Sequence, residues 1–211
     1  MDIMSELTLW GRSSSSNVRK VIWALAELGL DYRRVDAGGV FGVVGDAEYL
    51  RLNPNGLVPC LQQGSFVLWE SNAIVRYLAD VHGQGSLLPD GAQARAAADK
   101  WMDWTSTTFV TPFRDIFWNS VRATPEQRSE TEIQRGREQA AALLRIVDAA
   151  LAGQPYLSGE RFGMGDIPLA TLLQALHTVP GSLPSLPHVD AWYARLQQRE
   201  GLRLLEGLSL C

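Results

Sequence analysis

The stretch GRSSSSNVRK, Gly11 to Lys20, sets four consecutive serines between an apolar run and a segment of helical periodicity. Serine hydroxyls in such a place act as flexible filler, cap a helix by accepting from its free amides, or donate a hydrogen bond to a reacting group. Residue type alone leaves the three uses open. Chemistry-bearing residues are sparse elsewhere. Cys60 and Cys211 are the only cysteines, too few for a disulfide framework and suited to a reducing compartment, and no C-x-x-C is present. His82, His177 and His188 have neither H-E-x-x-H spacing nor a neighbouring Cys or carboxylate cluster, so no metal is expected.

The elements that must position the serines follow from periodicity. Leu7 to Trp10 read as a short buried strand, and Val18, Val21, Ile22, Leu25 and Leu28 then repeat at helical spacing up to Gly29. DYRRVDA is a second strand, followed by a glycine-rich loop, Gly38 to Gly45, and the turn signal NPNG at Asn53 to Gly56. LVPCLQQGSFVLWES predicts two antiparallel strands around a Gln63-Gly64 turn, and Ile74, Tyr77, Leu78 and Val81 mark the next helix. The order is β-α-β, a connecting segment, then β-β-α, a thioredoxin-like α/β unit.

GQGSLLPDG has linker composition, and everything after it is helical in pattern. The expected organisation is a thioredoxin-like α/β N-terminal domain over 1–84, a linker over 85–91 and an all-α C-terminal helical domain over 92–211. Within the latter, Ala97, Trp101, Trp104 and Thr108 share a face, Pro112 is a kink, and Thr124-Pro125-Glu126-Gln127 predicts a capped helix start. Ala140, Leu144, Val147 and Leu151 form a stripe ending at Gly153. FGMGDIPLA starts another helix with Gly163 as N-cap, Asp166 at its third position and Phe162 stapled to Ile167; Trp192, Leu196 and Leu202 mark a last one.

With 46% apolar and 20% charged residues, the 211-residue chain has ordinary globular usage, which sets aside disorder and fibrous repeats. A net charge of -4 without a dense Lys/Arg cluster argues against nucleic acid. No apolar run approaches the roughly 18 to 20 residues needed to span a bilayer, and the opening MDIMSELTLW lacks a basic stretch before an apolar core. A cytoplasmic protein without membrane association is expected.

Several motifs, in this order and spacing, resemble the glutathione S-transferase family across nearly the whole chain. SSNVRKVIWALAELGL is similar to the family's first helix, and NPNGLVPCL to the segment ending in Val and a cis-proline. WESNAIVRYLA resembles the Glu-Ser-x-Ala-Ile-x-x-Tyr-Leu glutathione signature, and GMGDIPLA the start of a C-terminal-domain helix. The resemblance implies the glutathione transferase fold, glutathione as co-substrate, no metal, a homodimer, and attack by the glutathione thiolate on a small apolar electrophile.

It also implies site residues. A cis bond at Val58-Pro59, only about 0.5 to 1 kcal/mol above trans for an X-Pro pair, turns the Val58 backbone outward to pair with the cysteinyl backbone of glutathione. Ser71 and the free amides at its helix start would hold the γ-glutamyl carboxylate, with Glu70 on the adjacent ammonium. Serine-type members, theta and delta in particular, place the activating serine four positions before an arginine; aligning on Arg19 selects Ser15. Zeta members select Ser14, and nu-like bacterial members use residues that map to Ser15 and Asn17, making Asn17 a second donor. Ser16 is expected as the helix N-cap, and Ser13 has no derivable role. The absence of Cys and Tyr between Gly11 and Lys20 sets aside the omega and beta types and the alpha, mu and pi types.

The chain departs from the pattern at Leu57, where theta members have a lysine for the glycyl carboxylate of glutathione. That contact is either missing or comes from elsewhere, from the Gly38 to Gly45 loop as a nest of amides or from Arg12. Gly163 stands where the family has a serine or threonine cap. Asp99 aligns with an acidic residue sent into the partner subunit's glutathione site. Trp101, Met102, Thr105, Ser106 and Phe109 are expected on the co-substrate pocket, with Trp104 in the core. A glutathione-dependent disulfide reductase or peroxidase is the nearer alternative function, and a non-catalytic glutathione-fold binding or regulatory protein the more distant one.

Overall fold

β1, Leu7–Trp10, lies inside a four-stranded sheet of order β2-β1-β3-β4, parallel to β2 (Tyr32–Val35) and antiparallel to β3 (Cys60–Gln63); β3 pairs antiparallel with β4, Phe66–Trp69. This computed structural model describes residues 6–181 and 183–210. The opening segment through Ser5, and Cys211, lie outside the described residues. The β3-β4 turn is Gly64-Ser65, one residue beyond the expected pair, because Gln63 still pairs with Phe66 and Gly64 supplies the left-handed φ of 59°. The segment before β3 contains a helix that sequence periodicity did not show, α2, Ala47–Leu52. It has six residues, flanking glycines and a single buried side chain, Tyr49, so no apolar stripe announces it.

α1, Ser16–Glu27, buries Val18, Val21, Ile22 and Leu25 in one cluster with Leu7, Leu9 and Leu61 of the sheet, and packs against α3, Ser71–His82. The segment expected as a linker is packed: Leu87 and Leu88 are buried, and the Leu87 carbonyl accepts from Met164 N–H at 2.9 Å.

Helices follow from there: α4, Ala92–Trp104; α5, Val110–Phe117; α6, Glu130–Leu151; α7, Ile167–His177; α8, Pro187–Leu196; and α9, Glu200–Glu206. Wider π turns at Thr105–Phe109 and Trp118–Arg122 flank α5. The first of these leads into Pro112, whose ring and missing N–H an uninterrupted α-helix tolerates poorly. Thr124 to Gln127 form a turn, and α6 starts later, at the Ser129-x-x-Glu132 box, where the Ser129 hydroxyl accepts from Glu132 N–H at 3.3 Å. The last expected helix is two, α8 and α9, broken at Gln197 to Arg199.

α1 also packs against α7 and α9. A Cβ on Gly201 would lie 2.1 Å from the Trp23 ring, so only glycine lets α9 approach this closely. Arg199 pairs with Glu27 at 2.6 Å and lies over Phe162. α7 is surrounded: Asp166, wholly buried, accepts from the N–H groups of Leu157, Ser158 and Gly163 and from the Trp192 indole. Its helix begins at Ile167, so Gly163 sits one turn ahead of it and not at the N-cap. The Ser158 hydroxyl, standing where a side chain on Gly163 would lie, accepts from Gly165 N–H at 3.0 Å and so bonds the turn that leads into α7.

Candidate functional site

The serine loop is pinned by backbone bonds from several directions. Gly11 and Arg12 N–H donate to Val35 and Ala37, Ser15 N–H to Arg12, and Arg19 N–H to Ser15. Arg19 Nε donates to the Ser13 carbonyl at 2.8 Å, and Arg122 Nη2 to the Ser14 carbonyl at 2.7 Å. Arg19 is wholly buried and also bonds Gln174 and the carbonyls of Leu208 and Ser209, which ties the loop to α7 and the chain's end. Burial, and then Arg122, push its pKa down to about 10.

Ser15, not Ser16, occupies the N-cap position of α1, and Ser16 is the first helical residue. The Ser15 side chain makes no capping hydrogen bond, and among the described residues its hydroxyl, at the positive end of α1, has no hydrogen-bond partner. Together with Ser14, Ser16 and Arg12 it lines a cavity of about 630 Å³. The opposite wall comes from residues 111–122, with Phe113, Phe117 and Trp118 as its aromatic part and Arg122 nearest the serine loop.

The expected pocket residues lie elsewhere. Trp101, Met102, Thr105 and Phe109 are buried in the helical core, with Trp104 in edge contact with Trp101 and stacked on Phe109. They pack within the helical core, and the cavity takes its wall from residues further along, between Thr111 and Arg122. Ser106 is exposed and, with the Met102 carbonyl, accepts from Asn72 Nδ2, one residue after Ser71.

Val58-Pro59 is cis. Tyr49 and the buried Asn53 both donate to the Leu57 carbonyl, at 2.6 and 2.8 Å, holding the approach to this corner. Among the described residues no hydrogen bond occupies the Val58 N–H or C=O. The Leu57 side chain is 65% exposed and offers no charge.

Glu70 has a φ of 72°, a conformation that costs a non-glycine residue on the order of 1–3 kcal/mol. Its carbonyl accepts from Ile74 N–H, and no side chain caps α3, so the first-turn amides from Ser71 onward have no side-chain acceptor. Ser71 is therefore the first residue of the helix, and its hydroxyl donates to Asn17 Oδ1 at 3.3 Å. Lys20 Nζ donates to the same oxygen at 3.0 Å. Lys20 is buried, which pushes its pKa down to about 8 against the opposing effect of Glu70.

The glycine loop does not form an open nest. The N–H groups of Gly38, Phe41, Gly42, Val44 and Asp46 bond within the loop itself, because its left-handed glycines fold it into tight turns. Arg12 lies over Gly38 and Gly39, next to Val58, and is the cationic side chain at this corner. Asp99 is held by Arg76 of its own chain, which also binds Asp103.

Arg122, Arg19 and Lys20 went unread as site residues in the sequence. The signal for the last two was a pair of cations on an otherwise apolar stretch of α1, whereas nothing near Arg122 in the chain points to the serines. Among the described residues no cluster of three or more His, Cys, Asp or Glu is placed to hold a metal, and no helix is long and apolar enough to cross a membrane.

Comparison with known proteins adds an independent line. Residues 5–80 match the family described as "Glutathione S-transferase, N-terminal domain" and residues 97–200 its C-terminal counterpart. Glutathione S-transferase GstB of Escherichia coli strain K12 is 43% identical over 199 residues, covering 93% of this chain and 96% of the relative. Glutathione S-transferase 3 of Zea mays is 34% identical over 206 residues, covering 93% and 91%. The theta class glutathione S-transferase of Xanthomonas axonopodis pv. citri, solved with glutathione bound, superposes with a TM-score of 0.93 at 48% identity, covering 99% of this chain and 100% of that one.

Proposed function

This chain belongs to the glutathione S-transferase family, and from that premise we propose that the Ser15 hydroxyl holds the glutathione thiolate at the mouth of the cavity. The protein is a glutathione S-transferase. The observation that carries the assignment is the uncommitted Ser15 side chain at the N-cap position, facing the cavity.

A free thiol of pKa about 8.5 is only a few per cent ionised at neutral pH. Lowering it by roughly two units takes about 2.7 kcal/mol. One charge-assisted hydrogen bond supplies about 1.5–3 kcal/mol, and the N-terminus of α1 about 0.3–1 kcal/mol more. The thiol proton leaves to solvent, the sulfur forms a bond to the electrophilic carbon, and the leaving group departs with its electron pair.

The tripeptide would lie along the cis-proline corner, its cysteinyl backbone on the unpaired Val58 N–H and C=O. The γ-glutamyl carboxylate would meet Ser71 and the free amides of α3, with Glu70 on the ammonium. Arg12 replaces the absent lysine for the glycyl carboxylate, Leu57 being apolar. Phe113, Phe117 and Trp118 form the surface for an apolar co-substrate body. A homodimer is part of the same reading; the Arg76 pairs to Asp99 and Asp103 leave Asp99 engaged within its own chain and support no role for it in the partner's site.

The test is glutathione binding together with turnover on an aryl halide, a hydroperoxide and a small disulfide, for wild type and Ser15→Ala. Binding with aryl-halide turnover that falls in the variant is expected. No binding at millimolar glutathione overturns the site assignment, and turnover confined to the disulfide or hydroperoxide overturns the transfer chemistry.

A further inference from the structure

Arg12, Arg19 and Arg122 converge on the serine loop, and among the described residues none has a carboxylate partner. Arg19 spends its donors on three carbonyls and Gln174. Arg122 gives one bond to Ser14 and stands 5.6 Å from the centre of the Phe117 ring. Arg12 and Arg19 both have pKa values lowered by burial and then by Arg122, the mark of like charges brought close together. The two carboxylates on the same cavity are already compensated: Asp115 by Arg135 at 2.8 Å, and Glu132 by Arg135 at 3.9 Å and Asn119 at 3.0 Å.

A chain of net charge -4 thus carries an uncompensated positive patch at one end of a half-enclosed aromatic cavity. Such a patch favours anions and focuses their approach. On that transferase reading glutathione brings one carboxylate to Arg12, which leaves Arg114 and Arg122 as the other cations lining the cavity, Arg122 being the one bonded to the serine loop.

Resting on the transferase reading, we infer that Arg122 binds an anionic group on the co-substrate, so that the enzyme prefers electrophiles carrying their own carboxylate on an apolar or aromatic body. The body lies against Phe113 and Phe117, and the carboxylate meets the guanidinium donors that Ser14 leaves free. In the reaction the glutathione sulfur forms the bond to the ring carbon, the carbon–chlorine bond breaks and chloride leaves with the electron pair, while the carboxylate is unchanged.

The test compares a chlorodinitrobenzoate with its neutral methyl ester, each kcat/KM divided by the uncatalysed rate constant. Wild type is expected to favour the acid, through KM, and Arg122→Gln to lower the acid-to-ester ratio roughly tenfold, the scale of one charge-assisted hydrogen bond. Arg122→Lys keeps the charge and should retain part of the preference. Taking the ratio removes any shared effect of loosening the serine loop. In wild type alone, raising ionic strength from roughly 0.01 to 0.15 M, which shortens the Debye length from about 30 to 8 Å, should shrink the preference. Equal use of acid and ester at low salt, or a ratio unchanged in Arg122→Gln, overturns the inference while leaving the transferase reading intact. Turnover of neither compound overturns that reading itself.

Discussion

The Asn17 side-chain oxygen accepts the Ser71 hydroxyl at 3.3 Å, so the first turn of α1 is bonded to the first residue of α3. Lys20 donates to the same oxygen, and among the described residues the Asn17 Nδ2 group has no partner. If Asn17 acts by positioning Ser71, Asn17→Leu raises KM for glutathione roughly tenfold, the scale of a hydrogen bond lost from a charged ligand's site, with a smaller change in kcat. Steady-state kinetics with varied glutathione check this. A fall in kcat at unchanged KM would place the amide on the thiol instead.

Lys20 makes stability depend on pH. An unfolded lysine titrates near 10.4, whereas burial pushes this one down to about 8, with Glu70 opposing. Between those values the unfolded chain keeps the proton and the folded chain releases it, so this residue's contribution to stability rises with pH across the window and is least favourable below about 8. Lys20→Met is expected to stabilise the fold by about 2 kcal/mol at neutral pH, the shift at roughly 1.4 kcal/mol per unit less the bond to Asn17. Thermal melts from pH 6 to 10 should show that gain narrowing above pH 8; a gain independent of pH contradicts the assignment.

Asp166 holds four donors from three parts of the helical domain. Asp166→Ala leaves them without an acceptor in a buried place and is expected to cost about 3 to 5 kcal/mol in chemical denaturation.

Gly163 and Ser158 share one space, a Cβ on the glycine falling 2.9 Å from Ser158 Cβ. Gly163→Ser alone is expected to destabilise by about 1 to 3 kcal/mol through overpacking. The double variant with Ser158→Gly should recover part of it, because the new serine can reach the Gly165 N–H that Ser158 bonds while the 3.0 Å approach to the Leu87 carbonyl oxygen remains. Additive losses in the double-mutant cycle would contradict the exchange of roles.

Much of this molecule is legible in its sequence, and the parts that are not share a physical cause. Strands and long helices show themselves through apolar period, as β1, α1 and the stripe from Ala140 to Leu151 do, and fold and family follow from the motifs they carry. α2 has too little buried surface to leave a period. The resemblance places Trp101, Thr105 and Phe109 towards the cleft without saying what covers them, and here that cover is the helical core. Which serine takes the N-cap position depends on a single turn of backbone. Arg122 lies 108 residues beyond the Ser14 carbonyl it bonds, a distance no local pattern bridges.

The most direct test is the acidity of the bound thiol. Titrating the thiolate absorbance of glutathione bound to wild type, Ser15→Ala and Ser14→Ala should show a pKa near 6.5 in wild type, about two units below the free value of roughly 8.5. Ser15→Ala should return it by more than one unit, with kcat falling by on the order of tenfold or more, one unit being about 1.4 kcal/mol; Ser14→Ala should change it little. A bound thiol that titrates alike in wild type and Ser15→Ala contradicts the assignment of the thiolate to Ser15.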